Sequence, residues 1–254
     1  MTTRREEGRK LILEVCIDSV ESALAAQRGG ARRVELCADL ANGGTTPSAG
    51  MISKVRDRIS IDLSVMVRPR PGDFIYSDIE FDIMKSDVSA ARGMGADGVV
   101  VGVMTAKGEI DVEKTKSLVQ LARPMSVTFH RAFDECVDLP QALDRLKDTG
   151  VNRILTSGGK GEIGKNIDAL AHLVIRAGSS LNVMAGGGIT SENVEDIVGR
   201  AHVKEVHVLS AVSSIISWNR LQSGRFGFSQ WLVDEFKVRA MVDRLRGHES
   251  DSKE

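Results

Sequence analysis

LEVCIDSVESALAAQRGGARRVELC, residues 13–37, holds one complete strand–helix–strand passage, and its reading sets the reading of the rest. Its two ends are short apolar runs. Between them, DSVESALAAQRGG has helical spacing, a start signal at Asp18 with Glu21 three positions on, and a stop at Gly29-Gly30. Two strands joined by a helix pair in parallel through a right-handed crossover. Each strand also carries a glutamate and a cysteine two positions apart, Glu14 with Cys16 and Glu35 with Cys37. Both runs otherwise read as buried strands, so a carboxylate and a thiol in each require an explanation.

The same alternation continues along the chain. Strands are expected at LILEVCI (11–17), RVELC (33–37), IDLSVMV (61–67), GVVVGVM (98–104), SVTFHRAF (126–133), NRILTSG (152–158), LNVMAGG (181–187) and EVHVLS (205–210). Amphipathic helical segments lie between them: SDIEFDIMKSDVSAARGMG with a start at Ser77-Asp78, DVEKTKSLVQLAR, DLPQALDRLKDTG, KNIDALAHLVIRAG and SENVEDIVGR. FSQWLVDEFKVRAMVDRL (228–245) reads as the last helix. Eight such units in about 250 residues are what a closed (β/α)8 barrel of the TIM type requires. An open doubly wound sheet usually has fewer strands, with a Gly-rich turn after the first. Here that turn is CIDSVE. The expectation is an α/β fold, a single closed parallel (β/α)8 barrel over 11–246, with tails at 1–10 and 247–254.

The 254 residues include 42% hydrophobic and only 4% aromatic residues, at a net charge of −1. A near-neutral chain gives no reason to expect nucleic acid or an anionic membrane as partner. The start, MTTRREEGRK, lacks the apolar core of a signal peptide, and no run approaches the ~18 apolar residues of a membrane span. Three cysteines do not make a disulfide framework. These features point to a cytoplasmic protein with reduced thiols.

Parity assigns directions to the polar strand residues. Alternate positions of a barrel strand face the interior and the surrounding helices. An unpaired carboxylate against the helix layer would be costly. Glu14 therefore points inward and takes Cys16 with it; Glu35 does the same for Cys37. By the same count Arg68 shares the inward face with Met66, His130 with Thr128, and His207 faces in between Val206 and Val208. Glu14, Glu35, Arg68 and His130 are the candidates for acid–base work. They cluster near the C-terminal ends of their strands, where barrel active sites lie.

The loops add anion-binding features. VRPRPGDFIYS carries Arg68 and Arg70, whose guanidinium forks suit carboxylates and phosphates. TSGGKG after strand 6, with Ser157 and Gly158, and AGGGIT after strand 7, with Gly186, Gly187 and Gly188, have the composition of a phosphate cradle. ADLANGGTTPSAG after strand 2 reads as a loop in which Gly43 and Gly44 take positive φ. Cys16 and Cys37 lie on consecutive strands, about 5 Å apart in the pairing direction. Two thiolates that close can hold Cu(I) in near-linear two-coordination. Cys136 stands apart as a spectator.

The first strand pair, the GGTTPSAG loop, VRPRPGDFIYS, VTFHRAFD, RILTSGG and AGGGI occur in an order that resembles the CutC family, named for copper homeostasis. The resemblance runs from about residue 11 to about 210; AVSSIISWNRLQSGRFGF, which follows, fits it poorly. It implies a TIM-type barrel, a cytosolic homo-oligomer (homodimer or homotetramer), and a Cu(I) site on Cys16 and Cys37. It also places pocket residues at Glu14, Glu35, Arg68, Arg70, His130, Arg131 and Asp134. Two functions of different classes stay open here. One is Cu(I) binding in copper homeostasis. The other is a metal-independent barrel enzyme acting on a small anionic or phosphorylated compound. In the enzyme, His130 or Glu14 would be the acid or base, and Arg68, His207 and the Gly186–Gly188 turn would contact the anion.

Overall fold

A computed structural model describes residues 11–218 and 228–251. Eight parallel strands close into a barrel in the order β1-β2-β3-β4-β5-β6-β7-β8. They are β1 (Ile12–Ile17), β2 (Arg33–Leu36), β3 (Asp62–Met66), β4 (Gly98–Val101), β5 (Ser126–Phe129), β6 (Arg153–Thr156), β7 (Asn182–Ala185) and β8 (Glu205–Val208). Around them lie α1 (Val20–Gly29), α2 (Ala49–Arg56), α3 (Asp78–Gly93), α4 (Val112–Ala122), α5 (Leu139–Lys147), α6 (Ile167–Ala177), α7 (Val194–Ala201) and α8 (Glu235–Asp251). None of these helices is long and apolar enough to cross a membrane.

Alternation along each strand separates two apolar populations. Val15, Val34, Leu36, Val65, Val127, Phe129 and Ile154 are fully buried in one continuous core between strands and helices. Burying each such side chain is worth about 1.5–3 kcal/mol, so this layer holds the fold. Cys16, Cys37, Met66 and Val100 form a separate cluster inside the barrel, as parity requires.

The lower interior is ionic. Arg33 pairs with both Glu14 and Glu205, and Arg153 reaches Glu205 at 3.0 Å. All four side chains are buried. The chain of two cations and two anions is neutral as a unit, which makes burial of each member tolerable.

Five details differ from the sequence reading. The fifth strand stops at Phe129, and Arg131–Glu135 make a 3-10 turn. Helix α2 begins in the last two residues of the stretch read as a loop and runs on through 51–56, for which no helix was expected. Ser48 caps it by accepting from the Met51 N–H at 3.2 Å, but only Ile52 and Val55 are buried, too few apolar positions to show a period. Helix α1 is capped by Ser19, whose hydroxyl accepts from the Ser22 N–H, and not by Asp18. The segment read as the start of the last helix is a strand, β10 (Phe228–Val233), antiparallel to β9 (Ser213–Trp218). Asp234 then starts α8 by accepting from the Phe236 and Lys237 N–H groups. Helix α8 continues to Asp251, beyond the expected boundary at 246. The expected tail at 1–10, the last residues 252–254 and residues 219–227 of the poorly fitting stretch lie outside the described residues.

Replacing Arg33 by Met would leave Glu14 and Glu205 buried without their shared cation. Urea unfolding is expected to show a loss of about 3–5 kcal/mol, whereas Arg200→Met, which breaks exposed pairs to Asp168 and Asp196, leaves the midpoint unchanged.

Candidate functional site

The C-terminal mouth of the barrel encloses a cavity of about 310 Å³ lined by Cys16, Glu35, Cys37, Arg68, Phe74, His130, Arg131, Gly187, Gly188 and His207, among others. Cys16 is in register with Glu35, and Cys37 lies one pleat further on, so the two cysteines are diagonal neighbours. Their sulfurs are nonetheless 3.9 Å apart, and Cys37 Sγ is 3.5 Å from Glu35 Oε2. Gly44 makes room for this arrangement: with φ +85° and no Cβ, its Cα lies against Cys37, and a Cβ would come within 3.2 Å of the sulfur.

His207 joins the group from β8. Its Nδ1 donates to Glu14 Oε1 at 2.7 Å, and its Nε2 faces the cavity, 3.7 Å from Glu35 Oε2. Burial pushes the Glu14 carboxyl up, but Arg33 and His207 together hold it well below the usual range. Burial disfavours the His207 imidazolium, yet Glu35, Cys16 and Glu14 raise its pKa well above the ordinary value. The hydrogen bond from Cys37 brings the Cys16 thiol down to about 6 against the effect of burial, with help from His207. Cys37, which gives up that bond on ionising and is buried, moves up. Burial also raises Glu35. Ligand atoms of Cys16, Glu35 and Cys37 lie within 4.8 Å of one another, as do those of Glu14, Glu35 and His207.

His130 and Arg68 form another part of the wall. His130 Nδ1 accepts from the Ala132 N–H at 3.0 Å, which fixes the ring proton on Nε2. Burial and the nearby Arg68 charge bring its pKa down to about 3, which favours the neutral ring. Arg68 donates to the carbonyls of Asn42, Gly44 and Gly72 at 3.1, 2.9 and 2.8 Å and lies over Phe74. It holds two loops together as well as facing the cavity.

The other expected residues are dispersed. Glu14 lies below the cavity, paired with Arg33 and His207. Arg70 points away, paired with Glu80 and Asp73 at the start of α3. Arg131 reaches the rim, held by Asp134 at 2.8 Å and Ser157 at 3.0 Å. Asp134 is itself buried against Thr156 and the Ser157 N–H. Ser157 and Asp134 thus position Arg131, and Gly158 packs on Asn166 below the surface. Of the three loop glycines, Gly187 and Gly188 line the cavity with positive φ, while Gly186 packs against Leu155 and His207. Arg33, Arg153 and Glu205 went unread in the sequence. The parity that turned Glu35 and His207 inward also turns Arg33 and Glu205 inward, so the signal was present.

Residues 11–212 match the CutC family. A protein of Chromobacterium violaceum described as family protein CutC is 44% identical over 242 residues, which are 92% of this chain and 98% of that protein. A human protein named copper homeostasis protein cutC homolog is 46% identical over 77% of this chain and 72% of its own length. A crystal structure from Streptococcus agalactiae, provisionally named copper homeostasis protein CutC, superposes with a TM-score of 0.74 at 34% identity, covering 78% of this chain and 97% of that one. Thiamine phosphate pyrophosphorylase of Pyrococcus furiosus, at 17% identity and a TM-score of 0.60 over 96% and 97% of the two chains, shares the fold alone.

Glu14→Gln removes the charged partner of His207 Nδ1, so the imidazole pKa should fall, as read from the His207 ring signals in an NMR pH titration. The stability supplied by the depressed Glu14 carboxyl is present above its ordinary value of 4.5 and is lost as pH falls towards its folded value. The gap in stability between the native chain and Glu14→Gln should therefore be widest near neutrality and shrink below about pH 4.5.

Proposed function

The chain belongs to the CutC family, and from that premise we propose that it binds Cu(I) as a cytoplasmic protein of copper homeostasis, with Cys16 and Cys37 as the ligating thiolates. The observation that carries this reading is the meeting of two buried sulfurs 3.9 Å apart at the barrel mouth. Soft thiolates favour soft ions such as Cu(I). The names of the relatives point to the same ion. Three unpaired cysteines agree with a reducing compartment.

The donor set suits a coordination number above two. With metal–thiolate bonds of about 2.3 Å, as for zinc, linear coordination needs sulfurs about 4.6 Å apart. A separation of 3.9 Å instead corresponds to an S–metal–S angle of about 115°. That angle calls for a third donor, and Glu35 is the carboxylate whose ligand atom lies within 4.8 Å of both sulfurs, with His207 Nε2 3.7 Å from Glu35 Oε2 behind it. The Glu14 carboxylate holds the Nδ1 proton of His207 and leaves Nε2 to the cavity, a pairing common behind metal-bound histidines. Near-linear binding by the thiolates alone, the expectation from the strand spacing, gives way to a three-donor site.

Anaerobic titration with Cu(I) against a competing chelator tests the reading. One ion per chain is expected, with Cys16→Ser and Cys37→Ser each weakening binding by at least about a hundredfold and Glu14→Gln by about tenfold. Cys136→Ser should change nothing, because burial pushes that thiol up to about 12 and it bonds the Ala132 carbonyl. Affinity should rise with pH, since the metal displaces the Cys37 proton, and should fall more steeply below pH 6, where Cys16 is protonated too. Undiminished Cu(I) affinity in the double serine variant would sink the assignment, and retention of Zn(II) in preference to Cu(I) would reassign the ion.

A further inference from the structure

We propose that the outer rim of the same cavity is a phosphate subsite, which takes the phosphate of a small phosphomonoester on Gly188, Ser210 and Arg131. The inference does not rest on the copper reading. Of the motifs in the sequence, AGGGIT (185–190) is one that metal binding leaves unused.

The loop after β7 is unbalanced between acceptors and donors. The Gly187 carbonyl accepts from the Ile163 N–H at 3.4 Å, and the Gly188 carbonyl accepts from Asn193 Nδ2 at 2.9 Å. In a trans peptide the N–H points opposite to the carbonyl. Ile163 is fully buried in the layer between strands and helices. The Gly188 N–H shares a peptide with the Gly187 carbonyl and so turns away from that layer, to the mouth side. It has no partner among the described residues. Positive φ at both Gly187 and Gly188, +96° and +92°, permits this turn. A loop that spends its carbonyls on the protein and presents an N–H is suited to an anion.

Water would satisfy one exposed donor, but the neighbouring loops add others. Ser210 follows β8, which is next to β7 in the barrel. It is exposed and lines the cavity, and neither its N–H nor its hydroxyl has a partner among the described residues. Arg131 supplies charge from the β5 side. Its Nε donates to Asp134 at 2.8 Å and its Nη2 to Ser157 at 3.0 Å, which fixes the guanidinium and leaves Nη1 without a partner among the described residues. The group lies on Gly187, where a Cβ would come within 2.9 Å of Nη1. The Arg131 side chain is 45% exposed and lines the cavity, so a ligand there can reach it.

Donors from three loops around one space fit a tetrahedral oxyanion better than a planar carboxylate, and a guanidinium among them suits phosphate. The cavity of 310 Å³ is the room of about ten water molecules at ~30 Å³ each, more than a phosphate ion fills. Met66, Leu155 and Leu209 in its lining offer apolar contact to a short carbon skeleton, which makes an ester a better fit than the bare ion.

The test uses the full chain, stripped of metal, in calorimetric titrations with inorganic phosphate, glycerol 3-phosphate and ribose 5-phosphate. Glycerol and ribose are the phosphate-free matches, and glycerate is the carboxylate match to glycerol 3-phosphate. At least one of the two esters is expected to bind one per chain, about tenfold or more tighter than inorganic phosphate or glycerate, with no binding of the free alcohols. In the NMR spectrum, the Gly188 and Ser210 amide protons should move downfield with that ester. Arg131→Lys keeps a cation beside Asp134, so circular dichroism should be unchanged while ester binding weakens about tenfold or more. Ser210→Ala, at an exposed position, should weaken it about fivefold. The Cys16→Ser/Cys37→Ser variant should lose Cu(I) and keep the ester, which separates the two readings. The proposal is overturned if neither phosphate nor either ester binds, or if glycerate binds as tightly as glycerol 3-phosphate. It is overturned as well by ester binding that leaves both amides unmoved and is undiminished in Arg131→Lys. Esters that bind no tighter than inorganic phosphate would overturn the place given to the carbon skeleton and reduce the ligand to an inorganic anion.

Discussion

The Glu14 carboxylate sits at the junction of two halves of the barrel interior, one oxygen on Arg33 and the other on His207. Below it, the Arg33–Glu205–Arg153 chain fills the space where branched aliphatic side chains would ordinarily pack. Above it, His207 is fixed in tautomer and orientation, with Nε2 turned to the thiols and Glu35. A fully buried carboxylate is tolerable only while both partners remain, because desolvation is offset by two opposite charges at contact distance. The position of His207, and with it the shape of the sulfur-rich side of the cavity, follows from that balance.

A polar interior needs room that a close-packed barrel does not have, and glycine supplies it where side chains cross. On β4, a Cβ at Gly98 would approach Ser126 Oγ at 2.6 Å, and one at Gly102 just beyond the strand would enter the His130 ring. Gly44 admits Cys37, and Gly187 lies under the Arg131 guanidinium, 2.7 Å from where its Cβ would be. These positions define the cavity as much as the residues that line it. The outer layer is conventional by comparison: valine, leucine and isoleucine against helices.

The barrel itself was legible, because eight repeats of a short apolar run followed by an amphipathic segment admit few topologies. Strand parity was legible as well. Turning Glu14 inward on the cost of burying an unpaired charge placed Cys16 in the cavity, and the same step placed Cys37, Arg68, His130 and His207. What escaped was local structure that runs against pattern. Helix α2 has too few buried positions to show a period, and the β10 segment FSQWLV abuts a true helix with no glycine or proline to mark the change.

Sequence alone determined which side chains face the interior, since that depends on alternation and on the expense of an unpaired buried charge. It could not determine which of them meet. Glu14 and Glu35 are equivalent by pattern, yet Glu14 is spent on Arg33 and His207 while Glu35 faces the cavity with one oxygen unpartnered. Arg68 and Arg70 are two residues apart, yet one is a buried cation in the wall and the other a surface partner of Glu80. Those differences come from barrel stagger and loop path. Both depend on contacts between residues distant in the chain, and only the closed tertiary structure brings them together.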